Sequence, residues 1–382
     1  MSFDADAAGI YDLDIGDKIY FARLVDDKAK FISNHDGIAY RADEPIDFFY
    51  ATESESVDAE APGDWTTYWY FTRKSNVTGA YQPFMKAAAF ASFALATDLD
   101  RLNDRRGESR YIDGSNNGLW VRYTYTSLER DDAFEMDKNM IQLGYDRVVS
   151  EQYGKHELGA AVDYTNADID IPGVSGDNES ERYALNLYYT WLSDFGLYTD
   201  VVLKGGVIDS DYDVKNAAGA KIGSDMNQSF YGLSLESGWK FDFANQLFVE
   251  PQVQLQYIHL EGDDFTTDGG VKAELDDSNS FIGRAGLRAG YDFSFNRDLP
   301  DSSVYIKADV LHEFSGDQGY DMVGRTTSYS DDFSGDQTWY DAGIGVDLSV
   351  TEDAKLWLDV AHIFGGDYED SWQVTAGARY EF

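Results

Sequence analysis

The chain contains no cysteine, which excludes disulfides and thiolate metal centres. Its five histidines, His35, His156, His259, His312 and His362, are scattered without metal-ligand spacing, so no metal is expected. Basic residues are scarce: 30 Lys and Arg face 70 Asp and Glu, giving a formal charge of −40. That balance excludes nucleic acid as a partner, because phosphate binding needs a basic footprint. No nucleotide-binding motif appears, and no cofactor is expected. Long apolar runs are missing too. The longest, Ala87 to Thr97, falls well short of the ~20 residues of a helical membrane span. The start, Met1-Ser-Phe-Asp-Ala-Asp6, has neither the basic nor the apolar region of a signal peptide. The chain is therefore expected to be the C-terminal portion of a longer exported precursor, with Met1 added. A hydrolytic site would need a nucleophile or acid pair beside a histidine. Asp359 and His362 are three apart on one predicted strand and point to opposite faces, so no enzyme is expected.

Aromatics are abundant, at 15% with 27 Tyr and 8 Trp. They sit in segments of two-residue period. At the C-terminus Trp372, Val374, Ala376, Ala378, Tyr380 and Phe382 alternate with Gln373, Thr375, Gly377, Arg379 and Glu381. This is a strand with one apolar face, ending on an aromatic. Twelve such segments follow one another, near 118–128, 136–149, 154–169, 179–192, 196–212, 226–241, 246–261, 278–294, 302–315, 336–350, 354–365 and 370–382. In one of them Phe281, Ala285, Leu287, Ala289, Tyr291 and Phe293 oppose Arg284, Gly286, Arg288 and Asp292. In another, Val249, Val253, Leu255 and Tyr257 oppose Glu250, Gln252, Gln254 and Gln256. Apolar side chains outside with charged ones inside invert a soluble barrel and suit a membrane barrel. The fold class is thus all-β: a 12-stranded antiparallel outer-membrane barrel. The longer connections after odd-numbered strands would share one side, and their Asp clusters read as solvated, since they lack the ligand order of an EF-hand. Glycines inside strands, among them Gly144, Gly238, Gly290 and Gly377, would let strands bend or let an aromatic lie across them.

Residues 81–106 change period. Phe84, Ala88, Ala91, Leu95, Leu99 and Leu102 recur at steps of four and three, and no Gly or Pro interrupts from Phe84 to Arg106. One α-helix is expected there, stopping at Gly107. Its first half is nearly all small residues, and its second half carries Asp98, Asp100, Asp104, Arg101, Arg105 and Arg106.

Together these phrases resemble the translocator domain of a type V autotransporter. Trp69-Tyr-Phe-Thr-Arg73 is similar to the closing motif of a passenger, and Asp98-Leu-Asp-Arg-Leu-Asn-Asp-Arg-Arg-Gly-Glu108 to the end of the linker helix. Leu119-Trp-Val-Arg122 is similar to the family's first strand. Thr375, Gly377, Tyr380 and Phe382 resemble the terminal signal that the barrel-insertion machinery reads. The resemblance implies three units: 1–74, the end of a passenger β-helix; 75–110, a linker with a pore-plugging helix; and 111–382, the barrel. It implies a monomer in the outer membrane of a Gram-negative bacterium, in contact with lipid and lipopolysaccharide, its N-terminal segment and own passenger at the cell surface. Family members that cut their passenger in the lumen use an Asn-Asn pair in the helix. The only such pair, Asn116-Asn117, lies beyond it, so self-cleavage is not expected.

In the pore, each charge of the linker would be better paired than alone. Arg101, Arg105, Arg106 and Arg110 are expected to meet Glu236 and Glu250. Arg122, Arg284, Arg288 and Arg379, read as inward with Gln252, are expected to meet Asp98, Asp100 and Asp104. The alternatives are a diffusion porin, which would leave its lumen open, and a surface adhesin, in which residues 1–74 and the loops bind another cell.

Overall fold

The computed structural model describes residues 13–25, 37–58, 65–107, 117–130, 133–294, 299 and 301–382. Arg110 and Asn116, both singled out above, lie outside them. Four strands come first: β1 (Lys18–Val25), β2 (Gly37–Ala39), β3 (Asp47–Asp58) and β4 (Trp65–Val77). They form one sheet in the order β1-β4-β3-β2. Phe48, Tyr50 and Phe71 are buried on one face of it, with Leu13 and Ile46. All three pairings are antiparallel. β2 and β3, and β3 and β4, are joined as in hairpins, and β4 pairs on its other side with β1 from the start of the sheet.

Next come α1 (Tyr81–Ala96) and α2 (Leu102–Arg106). The single helix expected over 81–106 is therefore broken at 97–101. Its apolar period runs on through Leu99, but the backbone does not, for a reason that lies in the pore wall (below).

The wall follows as β5 (Asn117–Arg130), β6 (Phe134–Ser150), β7 (Lys155–Asp170), β8 (Ser175–Leu192), β9 (Leu197–Lys215) and β10 (Ser224–Trp239). After a two-residue β11 (Phe241–Asp242) comes β12 (Leu247–Leu260). A loop hairpin of β13 (Asp263–Thr266) and β14 (Lys272–Leu275) leads to β15 (Ser278–Phe293) and β16 (Ser302–Glu313). A second hairpin, β17 (Gln318–Val323) and β18 (Ser328–Phe333), precedes β19 (Gln337–Ser349), β20 (Ala354–Gly365) and β21 (Tyr368–Glu381). Setting β11 and the hairpins aside, twelve strands pair antiparallel in sequence, and β21 closes on β5 with Thr375 opposite Thr124. This is the expected barrel. Strict alternation explains it: each strand has a buried and an exposed face, and closure leaves no free edge.

The two ends differ. Turns such as 151–154 and 193–196 are short, while the two hairpins join into a four-stranded sheet, β13-β14-β17-β18, at the other end. The N-terminal sheet sits on that sheet, with Tyr329 packed against its core. Between the ends, exposed Leu143, Leu185, Leu203, Leu233, Leu255, Leu287, Ile306 and Ile344 make an apolar outer band. Exposed Tyr123, Tyr164, Tyr183 and Tyr231 flank it on the long-loop side, and Trp239 and Phe241 on the other. That layout matches a hydrocarbon layer with aromatic girdles. Inside, Trp120 lies flat against Gly144 and Trp357 against Gly377; a Cβ at either glycine would come within 2.2 and 2.0 Å of the ring. These glycines make room for aromatics that line the short-turn end of the lumen.

Beyond the tyrosine girdle, exposed carboxylates stand directly opposite one another on five successive strands: Asp137, Asp168, Glu179, Asp211 and Asp225. Like charges so placed destabilise a sheet, by roughly 0.2–1 kcal/mol per pair. Replacing Asp168 and Asp211 by Asn is expected to stabilise the barrel against urea by about 1 kcal/mol at low ionic strength. The gain should shrink in molar salt, where screening acts over only a few ångströms. Equal stability of the two proteins at low salt would show that the row does not strain the sheet.

Candidate functional site: the occupied lumen

The inward face of the barrel has two chemistries, where the sequence reading expected one charged lining. Toward the long-loop end it is apolar: Leu128, Phe134, Met136, Ile169, Ile208, Met226 and Leu260 form one cluster with α1. That helix is buried on nearly every side, from Tyr81 to Ala96, as expected of a segment apolar all round. Ala87, Ala88, Ala91 and Ala94 keep it slim, while Phe84 and Met85 fill the mouth. Arg130 closes the zone by lying over the Phe90 ring, 3.8 Å from its centroid, a cation–π contact.

Toward the short-turn end the lining turns polar, and there α1 stops. The last carbonyls of a helix have no partner within it. Here side chains of the wall donate to them: Arg182 to Leu95 O, and Gln256 to Thr97 O at 2.7 Å. Further along, Lys204 donates to Asp98 O at 3.1 Å and Gln254 to Asp100 O at 3.2 Å. Acceptors that another helical turn would have used are thus taken by the wall, and Asp98 and Asp100 are drawn outward. Asp98 pairs with Lys138 and with Arg182. Asp100 pairs with Arg122 and, at 3.2 Å, with Lys204. This is why the helix breaks where the sequence alone would continue it.

The chain then makes the short α2. Its first amide, Leu102 N–H, donates to Glu236 Oε2 at 2.9 Å. Arg101 reaches Asp341 at 2.7 Å and Asp309 at 3.3 Å. Arg105 reaches Asp200 at 2.6 Å and lies over the Tyr188 ring, and Arg106 reaches Glu157. The Trp357 indole donates to Asp104 O at 3.1 Å. Gly107 ends the helix with φ +54°, where any Cβ would meet Asp347.

Among the described residues, Arg101 thus meets Asp309 and Asp341, Arg105 meets Asp200 and Arg106 meets Glu157, where Glu236 and Glu250 were expected; Arg110, part of the same expectation, lies outside the described residues. Glu236 accepts from the Leu102 amide and from Tyr198 OH at 2.5 Å, and forms an ion pair with Arg284 at 3.3 Å. Glu250 accepts from Arg288 at 3.1 Å and from Gln252 at 2.7 Å. Of the four inward arginines, Arg122 meets the linker. Arg284 pairs with Asp309 at 2.6 Å and donates to Gln252 Oε1 and Gln254 Oε1. Arg379 pairs with Asp146 at 2.6 Å and with Glu381. These tie strand to strand across the wall. Lys138, Arg182, Lys204, Asp200, Asp309 and Asp341 were not singled out from the sequence. Each occupies an inward position on its strand, so the alternation did carry their signal.

At the C-terminus, Thr375 is buried and its hydroxyl lies 3.1 Å from that of Thr124. Tyr380 and Phe382 are exposed on the outer face with stacked rings, and the Phe382 amide donates to Asn117 O. Asp359 points inward and pairs with Lys307 at 2.6 Å, while His362 packs on Trp372.

Beside residues 97–101 a cavity of about 120 Å³ remains, lined by Asp98, Leu99, Arg122, Thr124 and Thr126 among others. Its volume and polar wall suit several waters. The arrangement holds one polypeptide strand in a tube through paired charges and backbone contacts.

Among known families, the description "Autotransporter beta-domain" matches residues 119–361. The chain belongs to that family. The BrkA autotransporter of Bordetella pertussis is 26% identical over 316 residues, which is 80% of this chain and 30% of that protein. The chain thus spans less than a third of the length of this curated relative. The crystal structure of the Bordetella BrkA β domain superposes with a TM-score of 0.61 at 24% identity, covering 70% of this chain and all of the other. The transport unit of the AIDA-I autotransporter from Escherichia coli superposes with a TM-score of 0.59 at 17% identity, covering 78% and 99%. The autotransporter barrel is thereby an outer-membrane fold of Gram-negative bacteria.

Removing one partner of a buried pair strands the other charge, at a cost of about 3–5 kcal/mol. Arg105→Ala is expected to lower the unfolding free energy of the detergent-solubilised autotransporter barrel by about 3 kcal/mol. Adding Asp200→Asn should restore part of it. An unchanged midpoint for Arg105→Ala would show that this pair does not hold the linker.

Proposed function

We propose that this chain is the translocator and anchor of an autotransporter, carrying the passenger that precedes it to the cell surface. The observation that carries the reading is the path of the chain. It passes once through the barrel, from the N-terminal sheet at the long-loop mouth to the short-turn end, where β5 begins and β21 ends. A strand that starts at one mouth and whose preceding residues lie at the other describes a delivered segment. The proposed units are 1–74 as passenger end, 75–110 as linker and 111–382 as barrel, with the long loops and the N-terminal sheet outside the cell.

The barrel itself performs no chemistry on this reading; it is a conduit and an anchor, and any activity belongs to the passenger. Thr375, Gly377, Tyr380 and Phe382 would be read by the insertion machinery. The exposed ring pair and the buried threonine support that reading by giving the last strand one lipid-facing and one lumen-facing side. The apolar band and its girdles fit lipid and lipopolysaccharide around a monomer. A diffusion porin fits less well, because α1 and α2 occupy the lumen.

The test is where residue 1 lies. With an N-terminal tag and a signal peptide added, protease applied to intact cells should remove the tag and leave the barrel. A tag that becomes cleavable only after the outer membrane is opened would place the N-terminal sheet in the periplasm and overturn the translocator reading.

A further inference from the structure

The N-terminal sheet is joined to the barrel by more than its covalent linker. Between β2 and β3 the chain makes a strap, Arg41 to Ile46, that crosses the mouth of the pore. Glu44 in this strap is 1% exposed. Its carboxylate accepts four hydrogen bonds from the turn between β17 and β18: from Thr326 N–H at 2.9 Å and Thr326 Oγ1 at 2.6 Å, and from Thr327 N–H at 3.1 Å and Thr327 Oγ1 at 2.7 Å. The amide before them, Arg325 N–H, donates to Asp43 O at 3.0 Å, and the turn closes on itself from Gly324 N to Thr327 O at 2.8 Å. Successive backbone N–H groups aimed one way form a concave anion site, and here two hydroxyls complete it. Gly324 lets the strap approach: a Cβ there would lie 2.6 Å from Pro45 Cδ, 2.7 Å from Glu44 Oε2 and 2.8 Å from Asp43 O. On its other side the strap is held by α1, through Gln82 to Pro45 O at 3.0 Å and Tyr81 OH to Ala42 O at 2.6 Å.

We propose that the Gly324–Thr327 turn is a carboxylate-binding peptide site whose occupant is the Arg41–Ile46 strap, so that the N-terminal sheet stays on the barrel even when the backbone between β4 and α1 is cut. The inference rests on the translocator reading above and adds a function to the loop: non-covalent retention of the base of the passenger. The specificity follows from the chemistry. A buried carboxylate must be fully paired, the site offers four donors, two to each carboxylate oxygen, and the glycine admits a residue pair whose second member is proline. A lysine or an apolar side chain in place of Glu44 would leave those donors without an acceptor.

The experiment uses the full chain in intact cells, with an N-terminal tag and a sequence-specific protease site inserted after the exposed Thr78. Before cutting, the tag must be accessible from outside; if it is not, the orientation proposed above fails, independently of the strap. After cutting, the tagged fragment is expected to remain on washed cells and to co-purify with the barrel. Glu44→Ala should release it about ten- to a hundredfold faster, the loss expected for hydrogen bonds to a buried charge. Gly324→Ala keeps every charge and should release it as well, by blocking approach. A peptide spanning Arg41–Asp47 should speed release of the wild-type fragment. Heat-modifiable migration of each barrel confirms that it is assembled. Prompt loss of the wild-type fragment on cutting, or equal retention by both variants, would overturn the proposal.

Discussion

A closed wall of twelve strands encloses a lumen that one peptide segment can fill, and filling it is the constraint from which the rest follows. The wall has no edge to lose, so its outer face is free to be apolar and its inner face must satisfy whatever lies within. Where α1 passes, the inner face is apolar because the helix is. Where the linker carries Asp98, Asp100, Arg101, Arg105 and Arg106, the inner face supplies Lys138, Arg122, Lys204, Asp341, Asp200 and Glu157 at hydrogen-bonding distance. Wall and linker therefore work as one core. The linker is held by many polar contacts and not by one, and no covalent bond besides the chain itself fixes it.

The same constraint explains the break in the helix. A continuous helix through Leu102 would keep its carbonyls to itself and point its charges at whatever angle the 3.6-residue turn dictates. The chain instead leaves the helix in a turn at Thr97 and is extended at Arg101. The Thr97, Asp98 and Asp100 carbonyls find Gln256, Lys204 and Gln254, and each aspartate reaches cations on two strands. The aromatics Trp120, Tyr188 and Trp357 finish the packing near the short-turn end, each over a glycine (Gly144, Gly159 and Gly377) that leaves it space.

Much of this could be read in the sequence, and the reasons are specific. The alternation of β15, with Arg284 and Arg288 opposite Ala285, Leu287 and Ala289, states the barrel outright, and the count of twelve strands follows from its repetition. The register between strands is not written there. Alternation tells which face Glu236 and Glu250 occupy but not the height at which a linker arginine passes, so Asp200, Asp309 and Asp341 had to be found in three dimensions. The end of α1 was hidden for a related reason. Its apolar period persists through Leu99, and the groups that stop it, Arg182, Gln256 and Lys204, come from strands far along the chain. The antiparallel pairing of the N-terminal sheet was equally out of reach, since β1 and β4 are neighbours only through long-range register.

Everything above depends on the lumen being occupied by the linker. Single-channel conductance in planar bilayers measures this directly, comparing the full chain with a form lacking residues 81–106. The full chain should pass little current, limited to the hydrated space beside residues 97–101, and the shortened form should conduct as an open pore. Equally large conductance from both would contradict a lumen filled by α1 and α2.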